Sequence, residues 1–147
     1  MFKLPFSAKR INQLEVTCSR VEPNLILATI YRHQSIHKRF DVTNPTAILQ
    51  LAHMGFRKNQ TVTAHSHNPI KRETVGTSEI WIVTKGQIEF AVYDVDNSIL
   101  HLATLKKNDV VVFQAGGHAL KAVSHNSEIY EIKNGPYGGA TIDKQQI

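Results

Sequence analysis

The sequence predicts an all-β domain of antiparallel strands, a sandwich or barrel with few helices. Short runs rich in Val, Ile, Leu, Thr and aromatic residues recur from about residue 46 onward. Turn residues close each run, at the spacing of an all-β sandwich or barrel. Eight such runs fit between residues 46 and 133, which is the strand count of a jelly roll. At 147 residues with 41% hydrophobic content, the chain suffices for one buried core and leaves no room for a comfortable second.

Taken in order, residues 1–45 read as an arm flanking the barrel. Within it, Ser7 to Thr17 fits a strand or a short helix, Leu25 to His33 fits a strand, and Pro23 and Pro45 punctuate the region. The barrel, residues 46–134, carries expected strands at 46–56, 59–67, 79–85, 87–95, 98–105, 109–114, 118–124 and 127–133. Lys85-Gly86 closes a tight hairpin, and Asp94 to Ser98 supply turn chemistry to the next pair. In the last strand, alternation predicts Tyr130 and Ile132 inward with Glu131 and Lys133 toward solvent. Residues 135–147, opening on Gly135-Pro136-Tyr137-Gly138-Gly139, form a C-terminal tail.

Composition narrows the function classes. The net charge of +5 comes from basic pairs scattered along the chain, such as Lys9-Arg10, Lys38-Arg39 and Lys106-Lys107. None is interleaved with stacking aromatics, so nucleic acid is not an expected partner. The longest apolar runs, Leu25 to Ala28 and Val110 to Phe113, fall far short of the roughly 20 residues that span a bilayer. No membrane-spanning helix is expected. The first 16 residues also lack the apolar stretch of a secretory signal, so the expected compartment is the cytoplasm. Cys18 is the only cysteine, which excludes an intrachain disulfide.

Histidine is abundant, at eight residues. His65 and His67 form a His-x-His pair on an expected strand, where alternation aims both at one face with Thr61 and Thr63. Glu79 shares a strand face with Trp81 and Val83, and a carboxylate among apolar neighbours is costly unless it is paired or bound to a cation. His118 follows Gly116-Gly117 at the start of another strand. Three imidazoles and one carboxylate converging in a barrel suit a divalent transition metal with coordination positions left open.

These residues resemble the two motifs of the cupin superfamily. Its first motif reads G-x5-H-x-H-x3-4-E-x6-G, and the stretch from His65-Ser66-His67 through Glu79 to Gly86 is similar to it, with six residues between Glu79 and the glycine. Eleven residues separate His67 from Glu79, so simple counting leaves Glu73 as a rival ligand, whereas the glycine phase favours Glu79. The stretch Asn108 to His118 is similar to the second motif, with Asn108 and Gln114 in place of a glycine and a proline. The resemblance implies a double-stranded β-helix barrel binding one divalent metal (Fe, Mn, Ni, Zn or Co) through His65, His67, Glu79 and His118. It also implies a homodimer.

A looser resemblance, carried by Tyr130 to Tyr137 and the Tyr93-Asp94-x-Asp96 hairpin, is to small cupins associated with surface-polysaccharide biosynthesis. It implies a small sugar or sugar-nucleotide ligand. Lys71 and Arg72 lie in the stretch between His67 and Glu79 and suit an anionic group. Trp81 offers a sugar-stacking surface, and Tyr137 reaches the site from a loop. Lewis-acid isomerase or lyase chemistry is the favoured expectation. A non-catalytic sugar-binding module and an Fe(II)-dependent dioxygenase are the alternatives.

Overall fold

The computed structural model describes residues 9–11 and 13–147. Of the expected stretch Ser7 to Thr17, residues 7, 8 and 12 lie outside the described residues. The strands are β1 (Lys9–Ile11), β2 (Leu14–Cys18), β3 (Ile26–Tyr31), β4 (Arg39–Asp41), β5 (Ala52–Met54), β6 (Glu79–Lys85), β7 (Gln87–Tyr93), β8 (Ile99–Lys106), β9 (Val110–Phe113), β10 (Gly117–Ala122) and β11 (Glu128–Lys133), followed by a short helix α1 (Ala140–Asp143). The fold is all-β, and every strand pairing is antiparallel.

Three sheets result: a six-stranded sheet in the order β1-β2-β3-β9-β6-β11, a three-stranded sheet β10-β7-β8, and the hairpin β4-β5. Leu27, Ile30, Trp81, Val83, Val111 and Phe113 of the large sheet meet Ile88, Phe90, Val92, Leu100 and Leu105 of the small one in the main core. The opposite face of the large sheet is buried too, because Tyr31, Ile80, Val110 and Val112 pack under Val42, Phe40, Leu49 and Leu51. That double burial explains why β9 reads Val-Val-Val-Phe without alternation. The region before residue 46 supplies β1 to β4, and β3 is an interior strand of the large sheet.

Gly86 turns the chain from the large sheet into the small one with φ +69°, and a Cβ there would lie 2.5 Å from Ser124 Oγ and 2.7 Å from Ser127 Oγ. Only glycine satisfies both conditions. The β7–β8 turn closes on Asn97 at φ 67°, with Asn97 N–H donating to the Asp94 carbonyl.

The expected strands over 79–133 are present within a residue or two of their predicted ends. Two earlier ones are not. Of 46–56, only Ala52–Met54 is strand, because Asn44 turns the backbone by accepting from Thr46 N–H at 3.0 Å and Pro45 has no N–H to give a ladder. The stretch 59–67 forms no strand and is exposed throughout. Its alternation offers only Val62 and Ala64 as an apolar face, and Val62 remains 62% exposed. The face pattern of β11 is also the reverse of the expectation. Register places Glu131 opposite Trp81 and Lys133 opposite Glu79 on the inner face, while Tyr130 and Ile132 pair with Ile82 and Ile80 on the outer one. The outer face is itself apolar here, so alternation alone could not tell the two sides apart.

His101 on β8 pairs with Val92 and faces inward, and its Nε2 is buried with no partner among the described residues. Burial pushes its pKa below the usual histidine value, and His53 is lowered likewise, first by burial and then by His33. A depressed folded-state pKa means that the unfolded chain binds more protons. Stability is therefore complete above about pH 6.5 and is lost as pH falls below it. His101→Leu should raise stability by about 1 kcal/mol at neutral pH and flatten the acid slope. Urea midpoints at pH 7.5 and pH 5 check this; an unchanged difference between the two would refute it.

Candidate functional site

The site is built at one end of the sandwich, where β6 begins, β10 begins and β11 ends. Glu79 is the first residue of β6, and its position is pinned from both sides. Ser78 N–H donates to Asn134 Oδ1 at 2.8 Å, and Asn134 Nδ2 donates to the Gly76 carbonyl at 3.1 Å. Asn134 thus ties the chain entering β6 to the chain leaving β11. Glu79 is 5% exposed and sits on the same face as Trp81 and Val83.

Three side chains address the Glu79 carboxylate. Trp81 Nε1–H donates to Oε1 at 2.8 Å. His118 Nε2 lies 3.5 Å from Oε2, and Lys133 Nζ lies 4.0 Å from the same oxygen. Burial works to raise the Glu79 pKa, but its contacts with His118 and Trp81 outweigh burial and hold it at about 2. It is a buried carboxylate held below the ordinary carboxylate range. Lys133 is held charged chiefly by Glu131, 2.6 Å away, and its ammonium stands 5.1 Å over the Tyr137 ring.

His118 is placed by β10, whose register puts it opposite Val92 on the inner face. Its ring stacks on Phe113 at 4.2 Å and meets the edge of Trp81 at 5.0 Å. Packing therefore fixes the plane of the imidazole and leaves Nε2 aimed at the carboxylate. In front of the pair opens a cavity of about 690 Å3 whose wall includes Glu79, Phe113, His118, Lys133, Asn134 and Tyr137. That volume suits a small molecule.

The structure brings together Glu79, His118, Trp81 and Tyr137 of the sequence candidates. Trp81 is 3% exposed and packed against Phe113, so it supports the site from behind and offers no open face for a sugar to stack on. His65, His67, Lys71, Arg72 and Glu73 stay outside the cavity, on the exposed segment before β6. His65 Nδ1 lies 2.9 Å from the Thr63 carbonyl, the two histidine rings are 5.4 Å apart, and Lys71 is paired with Glu73. Among the described residues no group of three or more metal-ligating side chains is assembled.

Lys133 and Asn134 were not singled out from the sequence as site residues. The available signal was the antiparallel pairing of β6 with β11, which carries Lys133 to Glu79 once the register is known. No family model, curated protein or solved structure matches this chain. Among the described residues, no helix is long and apolar enough to cross a membrane.

Proposed function

We propose that the chain is a metal-binding cupin that acts on a small sugar-like or anionic ligand at the mouth of the sandwich. One observation carries the reading: an ionised carboxylate, Glu79, and an imidazole, His118, converge on the inner face in front of a cavity of ligand size. Glu79 and His118 supply two of the four ligands this reading needs, and both are of types that bind Fe, Mn, Co, Ni and Zn. Phe113 and Trp81 orient the imidazole, as a supporting layer does around metal ligands.

His65 and His67 complete the set in this reading, which requires their segment to move against β10. Two features support that step. Among the described residues β10 pairs with β7 alone and lies at the edge of its sheet. The eleven residues from Asn68 to Ser78 can span roughly 36 Å when extended.

A bound divalent metal would supply Lewis-acid polarisation of a ligand oxygen. Lys133 and Tyr137, both in the cavity wall, are the groups positioned to grip an anionic or hydroxyl-bearing ligand, in place of Lys71 and Arg72. The test is metal content. Protein without an affinity tag is equilibrated with Mn, Fe(II), Co, Ni and Zn in turn, and bound metal is counted after gel filtration. One metal per chain is expected, lost in His65→Ala, His67→Ala and His118→Ala and kept in Glu73→Gln. An emptied Glu73→Gln beside a fully loaded Glu79→Gln would overturn the ligand assignment. Incubating loaded protein with sugar phosphates and nucleotide sugars, in air and without it, should show oxygen-independent turnover. Oxygen uptake that depends on iron would replace the Lewis-acid reading with an oxygenase.

A further inference from the structure

We propose that the outer face of the small sheet is an interface for a second copy of this chain, which docks there about a two-fold axis. The inference is independent of the metal reading, because none of its residues lines the cavity in front of Glu79.

Three observations carry it. The two sheets are covered unequally. The outer face of the large sheet lies under Phe40, Val42, Leu49 and Leu51, whereas the core takes only the inner-face residues Ile88, Phe90 and Val92 of β7 and leaves the other side of the small sheet open in a shallow groove of about 400 Å3. The middle of that open face is apolar and low. Ala91 lies level with Ala119 on β10 and Leu102 on β8, Leu102 is 57% exposed, and two alanines let another sheet approach closely. Next along the ladder, Glu89 of β7 stands level with Lys121 of β10, and neither side chain forms an ion pair among the described residues.

These charges select the occupant. A two-fold axis running along the strands, midway between β7 and β10, lays β7 of one copy over β10 of the other. Because Glu89 and Lys121 are register partners, Glu89 then faces the Lys121 of the second copy and Lys121 faces its Glu89, while Ala91 meets Ala119. The face is its own complement, which is the requirement for an isologous interface. A partner of one charge sign would satisfy only one of the two groups.

Sedimentation velocity on the untagged full chain, over a concentration series, provides the test. Wild type should pass from monomer to dimer, and Ala119→Arg should stay monomeric over the same range, because the longer side chain holds the faces apart. Glu89→Lys and Lys121→Glu each set like charges against each other at both contacts, and each should weaken the dimer by about tenfold or more. Mixing the two variants restores opposite charges at both contacts. The mixture should therefore dimerise nearly as tightly as wild type although neither component does so alone, a recovery that also shows both variants to be folded. Wild type that remains monomeric up to about 1 mM overturns the proposal. So does a dimer that survives all three substitutions, or a mixture that associates no more tightly than its components.

Discussion

Loading with a divalent metal should raise the melting temperature by roughly 5–10 °C at one hundred times the dissociation constant, and Glu79→Gln should abolish the rise. A ligand bound only by the folded state stabilises it by about 2.7 kcal/mol at that concentration. For a chain of this size, each kcal/mol moves the midpoint by about 2–4 °C. Glu79 is the residue on which the effect turns, since it is held ionised at about pKa 2 and supplies the negative charge at the mouth. The substitution also leaves the Trp81 and His118 donors facing a neutral amide, so its metal-free melting point must be measured alongside. Thermal scans with chelator, and then with Mn2+ or Zn2+, check the result. A metal-induced rise of equal size in Glu79→Gln would remove this carboxylate from the site.

Trp81→Ala should cost about 3–5 kcal/mol, the range for deleting a large buried aromatic side chain. Trp81 is 3% exposed, its ring meets Phe113 at 4.7 Å and His118 at 5.0 Å, and its N–H bonds to Glu79. Removal opens a cavity in the core and also deprives a buried carboxylate of a donor. Trp81→Phe separates the two effects, because it preserves most of the packing and loses only the N–H, at about 1–3 kcal/mol. Urea unfolding of the three proteins provides the measurement. Near-equal stability of wild type and Trp81→Ala would show that the ring is not part of the core.

The site was legible in the sequence where burial and chemistry conflict within one strand. Glu79 stands out because it shares a face with Trp81 and Val83, and a carboxylate there requires a partner whatever the fold. Lys133 was not legible. Its side of β11 depends on which face of the large sheet is covered, and the layer formed by Phe40, Val42, Leu49 and Leu51 makes the outer face apolar as well. Tyr130 and Ile132 therefore pair with outer-face Ile82 and Ile80 while the charged pair turns inward, opposite to what alternation suggests.

By itself, the sequence determined the all-β class and the strands from Glu79 to Lys133, because those strands carry enough β-branched and apolar residues to be specified locally and are separated by turns that Gly86 and Asn97 favour. Tertiary structure alone decided which charges meet. The pairing of β6 with β11 joins Lys133 and Asn134 to the approach of Glu79, across more than fifty residues of chain. The pairing of β10 with β7 brings His118 to the same carboxylate. Register is a long-range property, set by how whole sheets bury their faces, and no local pattern around Glu79 contains it. The segment 59–67 shows the converse: its alternation is a real local signal, but with only Val62 and Ala64 to bury it forms no strand within these sheets.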